Sequence, residues 1–168
     1  MTPHTSFRTA LVLLVALSFA GCVKPDPSVA LKPLVDRYVL AWNTGDVKGL
    51  EEIVSSDFQL RMTPGFEPTR GIDSLKSAIA YWRTAYPDFT ITLDEVIYTQ
   101  SVIAARWTIK ATNSGPGSSP PTGKTVVVPG MSLLHVAEGK LVDEWIAGND
   151  LSWMQQLGYS FAPPQAGK

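Results

Sequence analysis

The sequence predicts an α+β fold, with helices gathered on one face of an antiparallel sheet. Three observations predict it. Apolar residues before Pro87 recur at helical spacing, those after it alternate with a period of two, and Gly- or Pro-bearing stretches separate the segments. The expected order is helix, helix, strand, helix, a run of strands, and a short closing helix.

Each element follows from local chemistry. Leu31, Leu34, Val35, Tyr38 and Trp42 form a helical stripe in which Pro33 is tolerated only near the start. Gly45 ends that helix, and Asp46 is expected to cap a second one bearing Val47, Leu50 and Val54. A short strand is expected from Phe58 to Met62, then a loop over 63–71. Asp73 is expected to cap a third helix with the stripe Leu75, Ile79, Trp82 and Tyr86, stopped by Pro87. Beyond it, Phe89–Leu93, Ser101–Thr112, Thr125–Val136 and Leu141–Asn149 are alternating and β-branched, as strands require. Asn113–Lys124 is a Gly/Ser/Pro loop, and Leu151–Leu157 is the closing helix.

The N-terminus is expected to lie outside this domain. Arg8 precedes an apolar run, Thr9–Ala20, which is shorter than the roughly 20 residues of a membrane span and reads as a signal-peptide core. It leads into Phe19-Ala20-Gly21-Cys22, and Cys22 is the only cysteine. Small residues directly before a lone Cys resemble a bacterial lipobox, although Phe19 stands where Leu is usual. The expectation is a signal peptide over 1–21, acylation at Cys22, a tether over 22–30, a domain over 31–160 and a flexible tail over 161–168. The alternative is an ordinary secretory signal and an unpaired thiol. Acylation implies an extracytoplasmic protein held on a bacterial membrane.

Composition narrows the function. Removing residues 1–21 from the 168 leaves 147, one domain by length, able to bury a core without staples. With Arg8 gone, 14 − 1 = 13 basic residues face 15 acidic ones, and no basic stripe points to nucleic acid. His135 is the single histidine of that mature chain, so a metal site is not expected.

The second half carries an ordered series of motifs: Ala85-Tyr86-Pro87-Asp88, Pro120-Pro121-Thr122-Gly123, Glu138-Gly139-Lys140, Glu144-Trp145 and Gln155-Gln156-Leu157-Gly158. In this order and spacing they resemble the SnoaL-like polyketide cyclases, or ester cyclase-like proteins, of the nuclear transport factor 2-like superfamily. Trp42-Asn43-Thr44-Gly45-Asp46 resembles the turn between the superfamily's first two helices. The resemblance spans residues 31–158. It implies a cone-shaped α+β barrel, a curved antiparallel sheet wrapped around helices, with a small-molecule pocket at the open end. It also implies acid/base chemistry without metal or cofactor (aldol cyclisation, isomerisation or hydrolysis) and a tendency to form homodimers. The alternative function is a non-catalytic small-molecule-binding or dimeric scaffold lipoprotein.

The resemblance further implies a catalytic Asp after the last strand's Trp and a helper His on the preceding strand. Here the flanking motifs place Asn149 at the Asp position, with Asp150 one residue later, and His135 at the helper position. An amide accepts no proton near neutral pH, so Asp150 is the expected base if the chemistry survives. Asn149 and Asp150 point to opposite faces of a regular strand. A two-residue turn at Glu138-Gly139 pairs His135 with Val142 and puts Glu144, Ile146 and Asp150 on its face. A three-residue turn pairs it with Leu141 and selects Trp145 and Asn149. Gly148-Asn149-Asp150 also reads as a turn in which Asn149 or Asp150 caps the closing helix. Trp82, Tyr86, Trp145 and Glu144 are the remaining pocket candidates.

Overall fold

The computed structural model describes residues 25–62, 67–118 and 120–162. The expected signal segment and Cys22 lie outside them. Four helices and six strands follow in the expected order, except that a short sixth strand, Thr69–Arg70, forms within the stretch expected to be a loop. They are α1 (Pro27–Thr44), α2 (Leu50–Ile53), β1 (Val54–Arg61), β2 (Thr69–Arg70), α3 (Ile72–Ala85), β3 (Thr90–Tyr98), β4 (Val102–Thr112), β5 (Thr125–Ala137), β6 (Lys140–Gly148) and α4 (Asp150–Leu157). One sheet runs in the order β2-β1-β6-β5-β4-β3, antiparallel throughout except where β1 lies parallel to β6.

The helices begin and end for identifiable reasons. The Asp26 carboxylate accepts from the Ser28 amide and Pro27 occupies the first turn, so α1 starts inside the stretch expected to be extended. Pro33 therefore sits within the helix; the carbonyl it leaves without a partner belongs to exposed Val29, where water can reach it. Gly45, at φ 77°, closes α1 in the left-handed conformation. Two expected caps are corrected. Asp46 accepts from the Lys48 amide in the connecting turn, and α2 is a single turn after Gly49, so Val54 opens β1 instead of facing a helix. Gly71 precedes α3, which leaves Asp73 in the first turn beside the positive end of the helix dipole.

Leu31, Val35, Tyr38, Ala41 and Trp42 of α1 and Leu75 and Ile79 of α3 meet Phe58 and Leu60 of β1, Ile103 and Ala111 of β4, Val126, Val128 and Leu134 of β5 and Leu141 of β6 in one core. Register breaks between Leu93 and Glu95, between His135 and Val136, and along the β1–β6 pairing mark where the sheet bends.

Two amide side chains finish the sheet where strands do not. The β6 pairing reaches only from Ala137 to Gly130, so the β5 backbone at Val127 lacks a strand on that side. Gln156 of α4 takes its place, accepting from the Val127 amide at 2.8 Å and donating to its carbonyl at 3.1 Å. Asn43 of α1 does the same for Ile91 on β3, at 2.7 and 3.0 Å. The loop after β4 is braced rather than loose. The buried Asn113 side chain accepts from the Thr122 amide, and the Gly115 amide donates to the Ala85 carbonyl.

Candidate functional site

The hairpin at Glu138-Gly139 decides which side chains of β6 face the core. Both residues have positive φ, 51° and 75°, giving a two-residue turn closed by Ala137 and Lys140. Neither register expected for His135 follows. Val136 pairs with Leu141, Val142 is extra, and His135 pairs with Asp143. This bulge lets Leu141 and Glu144 both face inward, three residues apart, and turns Asp143 and Trp145 outward.

His135 therefore points away from the core. Its Nδ1 lies 2.5 Å from the Asp143 carboxylate, with both side chains partly exposed. Trp145 shares that outer face, 51 % exposed, beneath the Arg61 guanidinium carbon at 5.1 Å. At the other end of β6 the strand stops at Gly148. Asn149 caps α4 by accepting from the Ser152 amide at 3.0 Å, and Asp150 is the helix's exposed first residue. Asp150 and His135 therefore lie apart: Asp150 opens α4 beyond the end of β6, whereas His135 sits on β5 opposite Asp143, near the start of β6. Trp145 likewise lies outside the interior.

Glu144 is brought inside. Only 6 % exposed, it sits on β6 between Leu60 of β1 and Leu134 of β5. The Tyr38 hydroxyl donates to its Oε2 at 2.7 Å, and the buried Ser132 hydroxyl lies close enough to favour the charged form of the same carboxyl. Trp107 Nε1 in turn donates to Ser132 Oγ at 2.9 Å. The result is a buried polar cluster of Tyr38, Glu144, Ser132 and Trp107, drawn from α1, β6, β5 and β4. Burial pushes the Glu144 carboxyl above its ordinary value, and the bonds from Ser132 and Tyr38 pull it partly back. Burial, and next the Glu144 charge, hold the Tyr38 phenol well above its own, so it keeps its proton to donate. Gly130 makes room for one end of the cluster; a Cβ there would lie 2.1 Å from Trp107 Cη2.

From Tyr38 the interior continues as a column of rings. Trp42 meets Tyr38 edge-on at 6.4 Å, Phe89 lies 6.1 Å from Trp42, and Trp82 lies 5.9 Å from Phe89. Trp82 and Tyr86, expected together, stack at 5.5 Å, and Trp153 of α4 packs against both, its Nε1 donating to the Tyr86 hydroxyl at 3.2 Å. Two surface clefts of about 660 and 230 Å³ lie elsewhere, the first along Arg70, Asp73 and Ser77, the second along Arg37, Leu40 and Lys48. Among the described residues no group of three His, Cys, Asp or Glu side chains is placed to hold a metal ion.

Sequence reasoning missed Tyr38, Ser132, Trp42, Trp107 and Trp153. Tyr38 and Trp42 read as plain core because they lie on the apolar stripe of α1. Ser132 carried a usable signal: it is the one polar side chain in the inward series Val126, Val128, Gly130, Ser132, Leu134.

A sequence model of the SnoaL-like polyketide cyclases matches residues 32–157. The protein belongs to the SnoaL-like polyketide cyclase family. Solved structures agree on the fold. TsrD from Streptomyces laurentii is 24 % identical, with 77 % of this chain and 96 % of that one covered at a TM-score of 0.69. AclR from Streptomyces galilaeus is 23 % identical, with 83 % and 87 % covered at 0.68. IdmH from Streptomyces antibioticus is 22 % identical, with 76 % and 98 % covered at 0.66. At these identities the likeness speaks for the fold alone. A search of curated proteins found no match to the sequence.

Proposed function

We propose that this SnoaL-like domain is a cofactor-independent acid/base enzyme acting on a small carbonyl compound, with Glu144 as its proton-transfer group. The observation that carries this reading is a carboxyl on the inward face of the sheet, desolvated, hydrogen-bonded by the Tyr38 hydroxyl and approached by a column of aromatic rings. Desolvation raises the basicity of a carboxylate, the property needed to remove a proton beside a carbonyl. Asp150, with His135 as its helper, is the competing assignment, and the separation of the two weighs against it.

The test is deuterium uptake in D₂O at the acidic carbon of an aryl β-keto ester, followed by NMR. The protein should accelerate uptake; Glu144→Gln should return it to the buffer rate, while Asp150→Asn and His135→Ala should leave it unchanged. No acceleration by the wild-type protein would leave only the binding role. Loss in Asp150→Asn with retention in Glu144→Gln would return the chemistry to Asp150.

Two further readings concern where the domain works. Acylation at Cys22, placing the protein on the outer side of a bacterial membrane, rests on the apolar run and small residues before that cysteine. An unmodified thiol in the intact mass of membrane-extracted protein would exclude it. Homodimer formation through the outer sheet face is favoured by its exposed Val127, Met131, Leu133 and Trp145. Sedimentation should give a dimer that Leu133→Asp converts to monomer; a wild-type monomer at micromolar concentration would refute it.

A further inference from the structure

The sheet has two dissimilar ends, and α1 runs from one to the other. One end carries the turns Thr99-Gln100-Ser101 and Glu138-Gly139, where β3 passes to β4 and β5 to β6. The other end carries the start of β3 and α4, whose Gln156 reaches Val127 in the register row of Lys110 and Thr90. Asn43, near the C-terminus of α1, binds Ile91 at this second end. Earlier in the helix, Tyr38 reaches Glu144, which shares its register row with Leu134, Ile103 and Tyr98 beside the first turn. Pro27 lies 38 − 27 = 11 residues further back, about 16 Å along a helix, so α1 begins at the turn end.

Because α1 starts within the stretch expected to be tether, 27 − 22 = 5 residue steps separate Cys22 from Pro27. Fully extended, five steps span at most about 18 Å. With 18 residues, α1 is itself about 27 Å long. We infer that this short connection fixes how the domain faces the bilayer, its turn end toward the lipid headgroups and its α4 end toward water. The inverted arrangement would lift Pro27 about 27 Å from the surface, beyond the tether's reach. The surface presented to the headgroups is the first turn of α1, where Val29 is 77 % exposed, and the uncharged turn Thr99-Gln100-Ser101. Trp153 of α4, packed on Trp82 and Tyr86, lies at the opposite end. A ligand for that aromatic cluster therefore arrives dissolved in water and not from the lipid phase. The inference rests on acylation at Cys22 and adds the direction in which the anchored domain faces.

The test uses acylated protein extracted from membranes and placed in lipid nanodiscs that contain a nickel-chelating lipid. A nitroxide is attached at Gln100→Cys or at Gln155→Cys, exposed positions at the two ends. Surface nickel should speed the spin relaxation of the label in Gln100→Cys severalfold more than in Gln155→Cys. Equal or reversed effects would overturn the inference. Acylated Cys22 has no thiol to label, so one nitroxide per chain accompanies a sound result. Two per chain would refute the acylation reading and the inference with it, which separates that failure from a wrong orientation. A second variant inserts about 20 Gly/Ser residues between Lys24 and Pro25, giving a flexible tether that reaches roughly 25 Å. Its two labels should relax alike. A difference that survived the longer tether would show that tether length does not set the orientation, and would also overturn the inference.

Discussion

Asp143 and Glu144 are adjacent acids on one strand, and their surroundings could hardly differ more. Asp143 faces outward, partly exposed, against a histidine ring at 2.5 Å. Glu144 faces inward, buried, held by the neutral Tyr38 hydroxyl with no cation acting on it. In water's reach a carboxylate needs no help to stay charged. Inside, its charge depends on every hydrogen bond it receives, and its affinity for protons rises when those bonds fall short of lost hydration. The acid/base candidate is therefore set by the face a side chain occupies and not by the residue type.

Substitutions on the two faces should separate just as sharply. Phe58→Ala empties a fully buried ring site on the inner face and should lower unfolding free energy by about 3–5 kcal/mol in urea titrations. Trp145→Ala, on the outer face, should cost under about 1 kcal/mol when measured below the concentration of any self-association. Gly130→Ala should cost about 1–3 kcal/mol, since the new Cβ meets the Trp107 ring. Equal costs at Phe58 and Trp145 would break the comparison.

The pH dependence sharpens it further. The folded-state value of Glu144 lies above its unfolded one, so the native state binds the proton more tightly. Its contribution is fully present below the unfolded value near 4.5 and is lost as pH rises through the folded value. Urea midpoints from pH 4 upward should therefore fall more steeply in the wild type than in Glu144→Gln; parallel curves would contradict the burial argument. Gln156→Ala, which removes the side chain standing in for a strand at Val127, should cost about 0.5–1.5 kcal/mol. Asp143→Asn should change stability by at most about 1 kcal/mol, and salt should shrink the difference, as for exposed pairs generally.

Most of the scaffold was legible in the residues. The stripe of α1, the Pro87 stop, the four later strands and the closing helix depend on local periodicity and on breakers, and these are properties of neighbouring residues. Caps were less legible. Asp46 and Asp73 have the right side chains, but glycines at 49 and 71 supplied the turns in which the helices start. The candidate site was less legible. Asn149 and Asp150 drew attention through their place in the motif series, yet their chain position is a strand-to-helix turn, where a short amide or carboxylate caps the helix. Trp82 and Tyr86 were correctly grouped because both lie on one helical stripe; their third partner, Trp153, comes from a distant helix that spacing cannot bring near.

By itself the sequence determined the order of elements, the α+β class and the family, because ordered motifs and periodicities survive without knowledge of what packs on what. Only the tertiary structure decided which acid of β6 enters the interior. A single extra residue, Val142, in the hairpin opposite His135 reverses every side chain beyond it. That bulge arises from pairing between two strands around a turn whose residues allow more than one register. Glu144, one of several pocket candidates in the sequence, is buried only because the hairpin closes in this register.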